Sequence, residues 1–341
     1  MSPFRYALIG NGMVAEVFHR AAEASGGMFE ISTVLGRSAE GRARAEGAYG
    51  VSTVATLDAL IATAPEAVIL ATPPDARAEI VAACADAGLP VLSEKPLERT
   101  TVAAEALVAR MGSLPYGITL QHRMRPGSQA ARRLISDGEV GAPRLLRVDV
   151  PWWRDPSYYN APGRGTYARD GGGVLLTQAI HTLDLGLWLM GGAVIRVQGQ
   201  TFRALHELEA EDAAIAGLGF DDGAAGLITA TTAAFPGHPE MVEVICERAT
   251  LRLVSGQLTI LHRDGRTETS GEEGGTGSGA DPMAFPHDWH QAVLSDFAMA
   301  VRDARPPAIP AASALPVHRV IDAITTSARE GRAIDIQGGI P

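Results

Sequence analysis

Cysteine is nearly missing from this chain. Cys84 and Cys246 are the only two, far apart and without metal-ligand spacing. Both sit in apolar stretches, so buried free thiols in a reducing compartment are expected, with no disulfide framework and no metal. Positive charge is outweighed, with 29 Lys and Arg against 39 Asp and Glu and a formal net charge of −10. No basic block offsets it, which sets nucleic acid aside as a partner. No apolar run approaches the ~20 residues that cross a bilayer, so no membrane span is expected. The N-terminus runs directly into a strand, so a signal peptide is not expected and a cytoplasmic location is. Aromatics make up only 5% of the chain, so any local cluster of them stands out.

What is present is an ordinary globular composition. At 341 residues, two domains are the natural expectation. Phe4–Ile9 reads as an apolar strand and runs into Gly10-Asn11-Gly12-Met13-Val14-Ala15. Val14, Val17, Phe18, Ala21 and Ala22 then recur at helical spacing. This strand–turn–helix is the pattern that holds a dinucleotide pyrophosphate. Gly10 allows the tight turn, Gly12 admits the phosphates, and Ala15 lets helix and strand pack closely. Strands and helices alternate up to residue 120, which implies a parallel sheet covered on both faces. Asp75 is the expected cap of a helix over 76–87. From Arg144 onward, strands follow one another through the turns Asp221-Asp222-Gly223 and Ser255-Gly256, the mark of an antiparallel sheet. Residues 264–281, rich in Gly, Ser, Thr and Glu, read as a loop, and two helices close the chain near 287–303 and 311–330.

Three constellations carry chemistry. A cofactor with a free ribose 2′-hydroxyl calls for a carboxylate at the end of the second strand. This chain has Gly36-Arg37-Ser38 there. Arg37 and Ser38 can donate to a 2′-phosphate, so NADP(H) is favoured over NAD(H). A solvated arginine beside a helix N-cap serine is the simpler alternative. Next, Glu94-Lys95-Pro96 follows a strand of the parallel sheet, where ligands bind. Lys95 there can hold a substrate hydroxyl and stabilise a developing alkoxide. Last, Gly171-Gly172-Gly173 opens a helix on which Thr177, His181 and Asp184 share one face, and histidine suits proton transfer near neutrality.

Together, in this order and spacing, the three motifs resemble the family named for glucose–fructose oxidoreductase, inositol dehydrogenase and a rhizopine-catabolism protein (Gfo/Idh/MocA). The resemblance covers essentially the whole chain. It implies an α/β chain with a Rossmann domain over 1–122, a doubly wound parallel sheet. Residues 123–341 would form an α+β domain with a large, open, mainly antiparallel sheet. It implies that Ala71-Thr72-Pro73 lies beside the nicotinamide ribose, that the Lys95 of Glu94-Lys95-Pro96 is catalytic, and that His181 transfers the proton. Thr177 replaces an aspartate common in the family, and Arg77 stands where the family often has histidine, read here as a peripheral change. It further implies a homodimer or homotetramer through the C-terminal sheet.

The substrate pocket is expected over the nicotinamide between the domains. Gln121-His122-Arg123 and the aromatic loop Trp152–Asp170 are its candidate walls. Arg123, Tyr158, Tyr159 and Arg164 are the expected contacts, together with Lys95, Thr177 and His181. The expected activity is hydride transfer between a nicotinamide dinucleotide and a hydroxyl or keto carbon of a sugar, sugar derivative or polyol. Two rivals are a non-redox enzyme using tightly held NAD, as in a glycosidase-like branch, and a silent dinucleotide or sugar sensor. Intact Lys95 and His181 weigh against the sensor.

Overall fold

The computed structural model describes residues 2–336 except 273 and 276. The last residues of the expected second domain, 337–341, and two positions of the 264–281 loop therefore lie outside the described residues. The chain divides into two compact units, one of residues 1–98, 102–121 and 287–314, the other of 99–101, 122–286 and 315–341.

In the first unit, strands β1 (Phe4–Ile9), β2 (Phe29–Leu35), β3 (Ser52–Val54), β4 (Ala67–Leu70), β5 (Val91–Ser93) and β6 (Tyr116–Ile118) form one parallel sheet, in the order β3-β2-β1-β4-β5-β6. Helices α1 (Ala15–Ala24), α2 (Ala39–Tyr49), α3 (Leu57–Ala62), α4 (Arg77–Asp86) and α5 (Thr101–Met111) connect them. Every residue of β4 is buried, as a strand covered on both faces requires. Asp75 does not cap α4; it lies in a 3₁₀ turn over Pro74–Ala76, and Ala76 takes the cap position with no side-chain hydrogen bond.

The second unit carries nine strands. They are β7 (Pro143–Pro151), β8 (Val194–Phe202), β9 (Ala213–Phe220), β10 (Ala225–Thr231), β11 (Met241–Cys246), β12 (Ala249–Val254), β13 (Gln257–His262), β14 (Thr267–Ser270) and β15 (Ile334–Asp335). Their order is β14-β13-β12-β11-β7-β10-β9-β8-β15, antiparallel throughout except where β7 meets β10. Strand β14 falls inside the segment read as a loop; its four residues are all exposed, so no apolar alternation marked it. Helices α6 (Pro126–Ser136), α7 (Tyr167–Asp170) and α8 (Ile180–Met190) precede β8 or flank β7 in sequence. Gly186 brings α8 against Leu146 and Val148 of β7, where a Cβ would lie 3.0 Å from Val148 Cγ2. Tyr167–Met190 is a 24-residue helical run apolar enough to cross a membrane by length and composition, contrary to the sequence expectation. Its apolar window is 83% buried inside the protein, so packing on the sheet accounts for its hydropathy.

Helix α9 (Asp288–Arg302) departs from the expected domain division. It belongs to the first unit. Phe297 packs on Gly117 of β6, where a Cβ would lie 2.8 Å from the ring, and the Tyr6 hydroxyl of β1 donates to Leu294 O at 2.7 Å. Helix α10 (Leu315–Glu330) returns to the second unit, and its Ile324 packs against Gly199 of β8.

Candidate active site

The dinucleotide loop is built on β1 and α1. Gly10 has φ +106°, and a Cβ there would lie 2.8 Å from Ala71 O of the neighbouring strand end. Only glycine fits that approach. Gly12 has nothing within 4 Å of a Cβ, so the space beyond it is open to a ligand. Helix α1 begins without a side-chain cap, and Asn11, Gly12 and Met13 are exposed. Ala15 N and Val17 N turn back onto Gly12 O and Val14 O, and the positive end of the helix suits a phosphate. The Asn11 amide donates to Gly41 O at 2.8 Å and ties the loop to α2.

At the end of β2, Arg37 is exposed. Ser38 is the N-cap of α2, its Oγ accepting from Gly41 N at 3.0 Å. Arg42, which sequence reasoning missed, reaches back to donate to Gly36 O at 2.9 Å. Its side chain lies so close to Gly36 that a Cβ there would meet Arg42 Cγ at 2.9 Å.

Glu94-Lys95-Pro96 leaves β5 in a tightly held loop. Glu94 is buried, and its Oε2 accepts from Lys95 N at 3.2 Å while Oε1 faces His290 Nε2 of α9 at 3.7 Å. Burial works to raise the Glu94 pKa, but His290, Lys95 and Thr119 outweigh it and hold the carboxyl below its usual range. Arg77 is not peripheral. It is 1% exposed, and its guanidinium donates to the carbonyls of Thr72, Glu94, Pro96 and Leu97. Lys95 itself is half-buried between buried neighbours. It is the only lysine among 29 basic residues, a signal the sequence offers at a glance.

The second group lies wholly in the other unit. Gly173 N and Leu175 N donate to the Glu211 carboxylate at 3.0 and 3.1 Å, which caps the helix start. Residues Leu175–Ala179 then form a π turn rather than a regular helix. Such an inserted residue is frequent at functional positions. The Thr177 hydroxyl donates to Gly173 O at 2.6 Å, and His181 is 7% exposed. The His181 ring stacks on His122, with centroids 4.9 Å apart and planes 27° from parallel. His122 Nε2 lies 2.6 Å from Arg125 Nη2. A guanidinium only donates, so Nε2 accepts and carries no proton. Arg125 in turn pairs with buried Glu240 at 2.8 Å.

Arg123, expected on the substrate, has a carboxylate partner within the protein. Its guanidinium grips Asp184 through two bonds of 2.7 and 2.5 Å, tying the segment after residue 121 to α8. Burial raises the Asp184 pKa, and Arg123 works against that rise. In the aromatic loop, Tyr159 donates or accepts at 2.9 Å with Thr232, and burial pushes its pKa up to about 12. Its ring meets His206 at 4.8 Å, so Tyr159 anchors the loop on the sheet. Arg164 covers the Tyr158 ring at 4.2 Å. Those three side chains are thus brought together, while Arg123 is drawn into an ion pair. Among the described residues no group of three or more His, Cys, Asp or Glu could hold a metal ion.

Residues 4–114 match the oxidoreductase family with an NAD-binding Rossmann fold, and residues 128–252 match the GFO/IDH/MocA C-terminal domain. Among curated proteins, D-apiose dehydrogenase of Paraburkholderia graminis is 27% identical over 98% of this chain and 90% of its own length. Inositol 2-dehydrogenase of Rhizobium meliloti is 30% identical over 57% of each. The chain spans a little over half the length of the first curated relatives it matches, 52% to 58%. Among solved structures, the WlbA dehydrogenase of Bordetella pertussis, in complex with NADH and UDP-GlcNAcA, is 25% identical with a TM-score of 0.83, covering 98% of this chain and 99% of that one. Both halves of the chain carry the domains of one family, and the protein belongs to the GFO/IDH/MocA oxidoreductases.

Proposed function

We propose that this protein is a nicotinamide-dinucleotide-dependent dehydrogenase or reductase acting on a CH–OH or keto carbon of a sugar, sugar derivative or polyol. The observation that carries the reading is Lys95. It is the sole lysine of a chain that otherwise uses arginine, and it stands on a rigid loop at the carboxyl end of β5. A compact ammonium polarises an oxygen in a way a planar guanidinium does not. The open space at Gly12 and the uncapped start of α1 fit a dinucleotide pyrophosphate. The dinucleotide would supply the hydride acceptor or donor. Lys95 holds the substrate oxygen and stabilises its developing negative charge. His181 removes the hydroxyl proton during oxidation and returns it during reduction. Names of relatives point the same way, since they are dehydrogenases of sugars and inositols. NADP(H) is the favoured cofactor, through Arg37. A homo-oligomer through the outer face of the second sheet is part of the same reading.

The test is a panel of sugars, sugar acids and inositols assayed with both dinucleotides. Lys95→Met and His181→Ala should each lower kcat by about 10²- to 10⁴-fold while dinucleotide binding persists. Only neutral imidazole accepts a proton, so oxidation by the wild type should also slow toward acid pH. A His181→Ala protein with full activity overturns the mechanism.

A further inference from the structure

We propose that Arg77 is the positioning residue for Lys95. Its buried guanidinium clamps the loop that presents the ammonium to the end of the neighbouring strand β4. This rests on the reading of Lys95 as the group that polarises the substrate oxygen.

The geometry is specific. Arg77 opens α4, and its side chain is 1% exposed. Nε and Nη2 both donate to Thr72 O, at 3.1 and 2.7 Å. Nη1 points at Glu94 O, Pro96 O and, at 3.3 Å, Leu97 O. Glu94 precedes Lys95 in the chain, and Pro96 and Leu97 follow it. One planar group therefore holds the backbone on both sides of Lys95 and joins it to residue 72, just past β4. Glu94 N bonds to Leu70 O at 2.9 Å, and Lys95 N donates to the Glu94 side chain at 3.2 Å.

Only arginine can make this set. Its five N–H donors lie in one rigid fork, whereas an imidazole offers two at most. Burial pulls the Arg77 pKa below its ordinary value, and Tyr116, Glu94, Glu98 and Asp75 act against that pull. A guanidinium stays charged even so. Removing it strands several backbone carbonyls in a buried place, each of which costs free energy unless the loop moves to reach water. Loop movement displaces Lys95, and a displacement of about 1 Å at a reacting group can cost about 100-fold in rate.

The test uses Arg77→His and Arg77→Gln. Each is assayed for kcat, KM and dinucleotide affinity beside Lys95→Met, with melting temperatures to certify the fold. Because Lys95 is the only lysine, protein labelled with ¹³Cε-lysine gives one side-chain NMR signal that reports on it directly. Both variants should lose about 10- to 100-fold in kcat. Dinucleotide affinity should stay within about twofold, and KM should rise by less than kcat falls, since Lys95 holds the substrate oxygen in the ground state and more strongly in the transition state. The lysine signal should move toward that of a solvated side chain. Where Lys95→Met loses activity, either Arg77 variant turning over at the wild-type rate overturns the clamp, and an unchanged lysine signal overturns it in every case. Dinucleotide affinity falling in step with kcat also overturns it, because that marks general damage. A moved signal in the Arg77 variants with full activity in Lys95→Met supports the clamp and refutes the catalytic reading of Lys95. If neither variant folds, hydrogen exchange on the wild type decides. The amides of Glu94, Lys95 and Leu97 should exchange as slowly as those of β5, and exchange at exposed-loop rates refutes the clamp.

Discussion

At the scale of single residues, cofactor choice turns on the end of β2. Ser38 Oγ accepts from Gly41 N, so its lone pair caps α2 while its own hydrogen can still be donated. Arg37 is exposed, and Arg42 is drawn back onto Gly36 O and Arg37 O. Arg37 is therefore the side chain with the greatest freedom to meet a 2′-phosphate, and no carboxylate stands in residues 36–38 to repel one. NADPH should bind more tightly than NADH, and Arg37→Ala should narrow the gap by about tenfold or more, the worth of one charge-assisted hydrogen bond. Fluorescence titration of both reduced dinucleotides reads this out, and equal wild-type affinities would sink it. At this scale the sequence is legible where a residue's type and its neighbours define its task. Gly10 and Gly12 are such residues, and so is Lys95 as a candidate. Arg77 is illegible, because nothing in the sequence says which carbonyls a buried guanidinium will reach. The partner of Arg123 is illegible for the related reason that Asp184 lies 61 positions away.

At the scale of elements, the entry into α8 is the most constrained segment. A Cβ on Gly173 would lie 1.7 Å from Glu211 O, an overlap with backbone that no rotamer relieves. At Gly172 the nearest atom would be Leu176 Cβ at 3.5 Å, an ordinary contact. Gly173→Ala should therefore destabilise the protein by about 3 kcal/mol, and Gly172→Ala by about 1 kcal/mol or less. Denaturant unfolding of the two variants measures the difference, and equal losses would show that the Glu211 contact yields. The activity of Gly173→Ala should fall as well, because the π turn and His181 follow directly on this start. Three glycines in a row announced a helix start in the sequence. The π turn did not announce itself, since placing Thr177 and His181 four apart on one face assumes a regular helix of 3.6 residues per turn. Strand Phe4–Ile9 was legible to the residue, being a largely apolar run that ends at the glycine turn. Thr267–Ser270 was not, because an exposed edge strand of polar residues has the composition of a loop.

At the scale of the whole molecule, chain order and spatial order part company. Helix α9 follows the last long strand of the second unit yet completes the first, through Leu294 and Phe297. Its amphipathic pattern shows that it needs a core but cannot say which core. The second sheet poses the complementary question of what covers its outer face. Along β10, Gly226, Ile228 and Ala230 point inward, while Ala225, Leu227 and Thr229 alternate outward. Cross-strand pairing aligns Gln200, Ile215 and Thr229 in one row and Gln198, Gly217 and Leu227 in the next. Ile215 is 47% and Leu227 53% exposed, beside a cavity of about 590 Å³ that those rows line. An apolar sheet face left in water is unusual for a monomer. A second copy covering it should make the wild type a dimer or tetramer by light scattering. Leu227→Glu, which buries or opposes a charge at that face, should shift it to monomer with an unchanged far-UV spectrum, because the side chain touches no core. Ile228→Glu is the control. It differs by one position, points into the core at 2% exposure, and should unfold the protein instead. A wild type that is monomeric at micromolar concentration, or a Leu227→Glu protein that keeps its wild-type mass, would reject assembly through this face.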